Sequence, residues 1–206
     1  MSTEREVKFA VPEGFALPDF GGLGEGMRAA DQGTHLLEAV YWDTDELTLF
    51  HARWGLRHRT RDGRDGTWTL KGPSSLDDSA LVREEIEVRG SPDSIPDSLQ
   101  RRLLPVLRGE PAHPIARIHT RRHAVDIDAS GERRLEVADD DVRVLDAAGS
   151  VVTRFREVEV EVVGAGAGTV LDAVLGQLRG LGATVHRGSK YERALAALGL
   201  TAAPSE

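Results

Sequence analysis

The sequence lacks cysteine, and this absence excludes several kinds of site. A chain without thiols forms no disulfide, binds no metal through thiolates and has no cysteine nucleophile. The sequence also lacks any apolar run close to the roughly 18 residues that a membrane-spanning helix needs. The first residues, MSTEREVKF, contain no basic stretch followed by an apolar one, so we expect no signal peptide. These absences predict a cytoplasmic protein without a membrane partner.

Positive charge is also in short supply. The 206 residues include 26 Lys or Arg against 34 Asp or Glu, which gives a formal net charge of −8. This balance argues against nucleic acid as a partner, although a cleft can focus the field of a few basic residues on a small anion. Because 40% of the residues are hydrophobic, the composition is that of a globular protein. We expect one domain over residues 1–200 and a tail over 201–206.

Short segments of alternating polarity dominate the chain, as in antiparallel sheets. Eight segments are predicted to be strands: 3–11, 34–44, 54–61, 67–73, 81–90, 115–128, 133–146 and 151–163. Three segments are predicted to be helices: 93–108, 168–181 and 189–198. Pro105 should bend or end the first helix, Ser189 should cap the last, and the Gly-rich residues 14–33 should form a loop. The predicted fold class is α+β, mainly antiparallel β, and the number of strands favours a barrel or a sandwich.

Charged side chains follow the same alternation. The stretch FREVEVEVV places Glu157, Glu159 and Glu161 on one face of a strand. For a single strand the simplest interpretation is a face in contact with water. Several strands carry such rows, however, with arginines on some, such as Arg57 and Arg59, and carboxylates on others. Because like charges side by side are destabilising, segregated rows indicate a polar cavity that holds Mg²⁺ or Mn²⁺ on carboxylates and phosphate on basic residues.

The order of these motifs is similar to that of CYTH domains, which belong to the triphosphate tunnel metalloenzymes. The stretch EREVKF resembles the E-x-E-x-K signature that opens such domains. Further segments resemble later family elements in the same order: YWDT, GLRHRT, WTLKGP, REEIEV, HTRRHA, EVADDDV, REVEVEVV and SKYERAL. The resemblance covers nearly the whole chain. It implies an eight-stranded closed β-barrel with a few flanking helices, whose interior is a charged tunnel.

The resemblance also implies roles for individual residues. Carboxylates are expected to bind the metal: Glu4, Glu6, Glu85, Glu87, Asp140, Glu159 and Glu161. Basic residues are expected to bind phosphate: Lys8, Arg57, Arg59, Lys71, Arg83, Arg121 and Lys190. The residues expected to take part in catalysis are Glu4, Glu6, Lys8, Glu159 and Glu161. Arg121 is preferred to Arg122, which is expected to point outward, and Asp140 is preferred to its two aspartate neighbours because it is in phase with Glu136.

The implied reaction is hydrolysis of a triphosphate, with Mg²⁺ or Mn²⁺ as the cofactor. Inorganic triphosphate, cleaved to pyrophosphate and phosphate, is the expected substrate. Of the three tryptophans, Trp54 is the candidate to clamp an organic group, and nothing selects adenine. Thiamine triphosphatase and class IV adenylate cyclase activities are alternatives. A further alternative is a module that binds polyphosphate, as the CYTH part of a longer protein that carries a CHAD domain.

Overall fold

The computed structural model describes residues 2–64, 66–77 and 80–201. Within this part of the chain there are ten strands and four helices. The strands are β1 (Ser2–Ala10), β2 (Met27–Asp43), β3 (Gly55–Arg61), β4 (Thr67–Lys71), β5 (Ser75–Asp77), β6 (Ala80–Arg89), β7 (His113–Ala129), β8 (Glu132–Leu145), β9 (Val151–Val162) and β10 (Thr184–His186). The helices are α1 (Thr48–His51), α2 (Asp97–Leu107), α3 (Gly168–Gly180) and α4 (Lys190–Ala197). No helix in these residues is long and apolar enough to cross a membrane.

Eight of the strands form a closed ring in which every neighbouring pair is antiparallel. Their order is β1-β9-β8-β7-β2-β3-β4-β6, and β6 pairs with β1 again, with Glu4 opposite Arg83. The two three-residue strands extend this ring at its margins, with β5 on β6 and β10 on β1. The prediction of an α+β, mainly antiparallel fold built on a closed eight-stranded barrel is therefore confirmed.

Two hydrophobic cores lie outside the ring, between the strands and the helices. Val158 and Val160 of β9 pack with Val174 and Leu178 of α3. On another side of the ring, α2 packs against Trp68 of β4, which is fully buried. Because side chains alternate along a strand, the glutamates between the valines of β9 point into the ring. On β9 the outer face is thus apolar and the inner face is polar.

Some element boundaries differ from the sequence-based prediction. β2 begins at Met27, inside the predicted loop, because its first residues pair with the end of β7. This pairing continues past a register shift between Asp31 and Gly33, where a φ of 77° suits glycine. α2 begins at Asp97 and includes Pro105. The helix α1 and the strands β5 and β10 have no counterpart in the prediction, because segments of three or four residues are too short to show a period. The predicted tail lies, from residue 202 onward, outside the described residues.

The helix α4 covers part of one end of the ring. Its apolar face packs on inward-facing residues of β7 and β8. Tyr191 stacks on Tyr41 of β2, with ring centroids 4.6 Å apart, and donates a hydrogen bond of 3.0 Å to Asp43. The predicted cap is confirmed, since Ser189 and Glu192 form a reciprocal capping box. The start of α4 is therefore held both by its own cap and by the end of β2.

Asp43 joins α1 and α4 to the end of β2, and its loss should destabilise the fold. Its buried carboxylate accepts hydrogen bonds from the hydroxyl of Tyr191 and from the backbone N–H groups of Thr44, Leu49 and Phe50. Because Asp43→Ala leaves these donors without an acceptor, we expect it to lower the free energy of unfolding by about 3 kcal/mol in chemical denaturation. The control Asp45→Ala, at an exposed carboxylate, should change it by less than about 0.5 kcal/mol. Equal effects of the two substitutions contradict the role of Asp43.

Candidate functional site

The ring encloses a cavity of about 960 Å³ that is lined mainly by charged side chains. The lining extends from Asp126, near the β7–β8 turn, to Trp54, next to the start of β3. The sequence contains three lysines, Lys8, Lys71 and Lys190, and all three line this cavity. Burying charge is costly, so an interior with this many ionised groups marks the cavity as the candidate site.

The structure brings most of the predicted site residues together in this cavity. Twelve of them line it: Glu4, Glu6, Lys8, Arg57, Arg59, Lys71, Arg83, Glu85, Glu87, Glu159, Glu161 and Lys190. Asp140 also points inward, but it is fully buried behind the cavity wall and contacts Arg122 and Lys190 there. Arg121 does not reach the cavity. The lining also includes eight charged residues absent from the predicted set: Arg53, Arg61, Arg122, Asp126, Arg133, Glu136, Arg187 and Glu192. Glu136 shares its phase with Asp140, which was the one signal in the sequence that pointed to it.

The choice of Arg121 over Arg122 is wrong about which arginine faces the cavity. Arg122 lines the cavity with Ile118 and Thr120, whereas Arg121 is exposed on the outer face of β7. The error arises because Arg117 and Arg121 belong to a regular row of charged residues, and on β7 that row is the one in contact with water. The inward row contains apolar residues as well as a single arginine. The phase that Arg122 shares with Ile118 is the signal that identifies it.

Arg57 and Arg59 form a positive wall of the cavity on β3. Within the described part of the chain, neither guanidinium forms an ion pair, and the Nε of Arg57 is buried without a hydrogen-bond partner. One of its NH groups donates to the hydroxyl of Tyr41 at 3.4 Å. The charge of Arg57, together with burial, lowers the pKa of Arg59 to about 10. Because two buried like charges repel each other, this wall is suited to bind an anion.

Carboxylates line the opposite wall, since β9 is four strands away from β3 in either direction round the ring. Four of them lie on adjacent strands, each directly opposite the next: Glu6, Glu161, Glu136 and Asp126. Arginines pair with the other three members of the row, but Glu161 forms no ion pair with any residue that the structure describes. Burial, followed by the charges of Glu4 and Glu136, raises the pKa of Glu161 to about 7.

The row around Glu161 has the chemistry of a divalent cation site. Carboxylate oxygens are the ligands that Mg²⁺ and Mn²⁺ prefer, and a cation among them would offset both the burial and the repulsion that raise the pKa of Glu161. Glu4 is engaged differently, because its two oxygens lie 2.6 Å from the ammonium of Lys71 and 2.6 Å from the Nε of Arg83. Although burial raises the pKa of Glu4, these two cations lower it to about 2. The pKa of Lys71 is itself lowered, by burial and by nearby arginines, so cations are crowded around this carboxylate.

A second group of carboxylates lies beside the start of α4. Asp140, Glu157 and Glu159 offer oxygens that all lie within 4.8 Å of one another. The ammonium of Lys190 lies among them, at 2.8, 2.6 and 2.8 Å from the three carboxylates in that order. Arg122 chelates Asp140 and also contacts Glu159 at 2.6 Å. Although burial raises the pKa of Glu159, the charge of Lys190 and the other cations hold it well below its usual value.

Comparison with known families agrees with this architecture. The model of the CYTH domain matches residues 2–180. The chain belongs to the CYTH domain family. Two uncharacterized proteins of Mycobacterium tuberculosis, MT2285 of strain CDC 1551 and Rv2226 of strain H37Rv, are each 32% identical to it over 209 residues. These alignments cover 94% of this chain and 40% of each relative, so the chain spans less than half of their length. The domain limits of 1–200 stay a prediction.

Solved structures share the fold of this CYTH domain. HpAC1 of Hippeastrum, a protein named as an adenylyl cyclase, has a TM-score of 0.63 at 17% identity, covering 94% of this chain and 95% of that one. A protein of Bacillus halodurans, named as an adenylate cyclase, has a TM-score of 0.61 at 19% identity, covering 94% and 98%. PH1819 of Pyrococcus horikoshii has a TM-score of 0.55 at 20% identity, covering 93% and 98%. At these identities the likeness establishes the fold alone.

Arg122 and Arg121 are neighbours on opposite faces of β7, and they provide a matched pair of variants. Arg122→Met leaves Asp140 and Glu159 with fewer cations, so we expect the free energy of unfolding at pH 7 to fall by about 3 kcal/mol. Arg121→Met should change it by less than about 0.5 kcal/mol. The Arg122 effect should shrink as the pH falls below about 4, because protonated carboxyls no longer need the cation. Chemical denaturation between about pH 7 and pH 3 measures the loss of unfolding free energy for each substitution and its dependence on pH. Equal effects of the two substitutions would contradict the assigned faces.

Glu161 should make the metal-free CYTH domain less stable as the pH rises. Its pKa of about 7 in the fold lies above the ordinary value of 4.5, so the folded chain binds the extra proton between these two pH values. The groups that set this pKa are Glu4, Glu6, Glu136 and Lys71. Glu161→Gln removes the titration, and in a chelator it should be more stable than the wild type by roughly 2–3 kcal/mol at about pH 8 and by little at about pH 5. A difference in unfolding free energy that does not change with pH would refute this.

Proposed function

We propose that this CYTH domain hydrolyses a triphosphate in a reaction that depends on a divalent cation. The observation that carries the proposal is the separation of unpaired charge across the cavity, with Arg57 and Arg59 on one wall and Glu161 on the other. A triphosphate that carries a divalent cation presents anionic oxygens to the first wall and the cation to the second. HpAC1, which has the same fold, is described as having a dominant triphosphatase activity, so the fold accommodates this chemistry.

The reaction would be an attack of water on the terminal phosphorus. The bond from that phosphorus to the bridging oxygen breaks, and its electron pair leaves with pyrophosphate. Arg57 and Arg59 would bind phosphate oxygens through charge-assisted hydrogen bonds and offset the charge that builds up in the transition state. A cavity glutamate would orient the water and accept its proton.

The carboxylates around Glu161 would hold the metal. Glu6 and Glu136 flank Glu161 on the adjacent strands, so these three are the proposed ligands. When bound, Mg²⁺ or Mn²⁺ would neutralise charge on the phosphoryl oxygens. Glu4 would contribute indirectly, since it fixes Lys71 and Arg83 beside the same part of the cavity.

Inorganic triphosphate is the proposed substrate, because charged groups dominate the cavity. Phe50, His51 and Trp54 lie together near the start of β3, and an organic triphosphate would have to place its organic group there. Trp42 and Trp68 pack in the core outside the ring. The aromatic residues of the lining keep thiamine triphosphatase and class IV adenylate cyclase activities as alternatives.

A second candidate function is binding of polyphosphate by a module of a longer protein. The length of the Mycobacterium tuberculosis relatives favours it, since this chain covers 40% of each. The two walls would then hold phosphate units without cleaving them. A CHAD domain as the companion and the cytoplasm as the compartment stay predictions.

Phosphate release from inorganic triphosphate, with Mg²⁺ or Mn²⁺ and beside thiamine triphosphate, ATP and pyrophosphate, tests the proposal. We expect release from inorganic triphosphate that a chelator abolishes. Arg59→Gln and Glu161→Gln should each lower kcat/KM by about 100-fold or more, since each removes charge that stabilises the transition state. The control Arg121→Gln, on the outer face, should change kcat/KM by less than about twofold.

Two other outcomes of this assay would overturn the proposal. Release that persists in a chelator contradicts the role given to the row around Glu161. Tight binding of polyphosphate with no release from any of the four compounds would replace hydrolysis with the second candidate function.

A further inference from the structure

The group Asp140, Glu157 and Glu159 has the composition of a metal site, and two of its members were predicted to be metal ligands. Its oxygens lie close enough to share one ion. The ammonium of Lys190, however, lies within 2.6–2.8 Å of all three carboxylates. The ammonium donates hydrogen bonds to Glu157 and Glu159, and Asp140 is its third ion-pair partner at 2.8 Å.

We propose that Lys190 is the resident cation of this pocket and that it excludes a divalent ion from it. The chain would then bind one metal ion, in the row around Glu161, rather than two. The expected total of one ion rests on the proposed function, which places a metal in that row. The exclusion of metal by Lys190 does not depend on it. The prediction that Lys190 binds phosphate is replaced by a positioning role, because its ammonium is already surrounded by three carboxylates of the protein.

The balance of charge supports this exclusion. The three carboxylates face four cations: besides Lys190, Arg122 chelates Asp140, Lys8 lies 2.8 Å from Glu159, and Arg193 lies 3.6 Å from Glu157. A divalent ion would therefore enter a pocket with no negative charge to spare, whereas Glu161 has no cation partner among the described residues. Burial lowers the pKa of Lys190, but the carboxylates raise it well above its usual value, so the ammonium keeps its charge.

The position of Lys190 in the chain makes it difficult to displace. It is the first residue of α4, and the residues on both sides of it are anchored. Ser189 accepts a hydrogen bond from the backbone of Glu192, and Tyr191 is held by Asp43 at 3.0 Å. With the backbone held in this way, a metal ion could take the place of the ammonium only if the Lys190 side chain left all three carboxylates.

Counting Mn²⁺ on the ligand-free chain tests the proposal. The measurements are isothermal titration calorimetry and the loss of the free-ion electron paramagnetic resonance signal. We expect one Mn²⁺ on the wild type and two on Lys190→Met, because this substitution removes the charge and keeps a similar side-chain length. Arg117→Met, which removes one positive charge from the outer face, should still bind one. Lys190→Met combined with Glu157→Gln should return to one.

The wild type provides a test that does not depend on the variants. Because there are three lysines, ¹⁵N-lysine labelling gives three side-chain signals, which the variants assign. The Lys190 signal should stay unchanged when Mg²⁺ and inorganic triphosphate are added. Two Mn²⁺ on the wild type, an unchanged count on Lys190→Met, or a Lys190 signal that shifts with triphosphate would overturn the proposal. If the wild type binds no Mn²⁺ and Lys190→Met binds one, the exclusion by Lys190 is supported and the metal site around Glu161 is refuted. The experiment therefore distinguishes a failure of this proposal from a failure of the proposed function.

Discussion

Ion pairing inside the ring is the interaction on which the rest of the structure depends. Two hydrophobic cores lie between the outer face of the ring and the helices α2 and α3, and a third lies under α4 at one end of the ring, so charged side chains fill the rest of the interior. Buried charges are tolerated only when they have partners. Glu159 has three such partners, since Lys8, Lys190 and Arg122 all contact its two oxygens within 2.8 Å. Six strands of the ring, β1, β4, β6, β7, β8 and β9, are therefore joined by charge as well as by backbone hydrogen bonds.

Because most buried charges in the ring have a partner of opposite charge, the charged groups that lack one are candidates for a functional role. An unpaired charge in such an interior costs free energy, so it persists where function needs it. Arg57 and Arg59 on β3 and Glu161 on β9 are charges of this kind, and the order of strands places them on opposite walls. The site is thus defined less by how many charged residues line it than by which of them remain without a counter-ion within the described chain.

The alternation of the sequence predicts which side chains share a face, but it does not always reveal which face is the inner one. On β9 the two rows are glutamates and valines, and the prediction of the inner row is correct. On β7 arginines occur in both rows, so Arg121 and Arg122 cannot be told apart by charge. The register decides between them, because Arg122 lies opposite Asp140 on β8. The ion pairs themselves join residues far apart in the chain, and no local pattern encodes them.

The distribution of lysine and arginine follows from the geometry of the pockets. Three of the 26 basic residues are lysines, and all three line the cavity. A guanidinium is a planar fork that matches the two oxygens of one carboxylate, as Arg122 matches Asp140. An ammonium is compact and directs three donors to different sides, so it can lie among three separate carboxylates, as Lys190 does. Each lysine of this chain lies within 4 Å of two or three carboxylates, and at such a position arginine is not a conservative replacement.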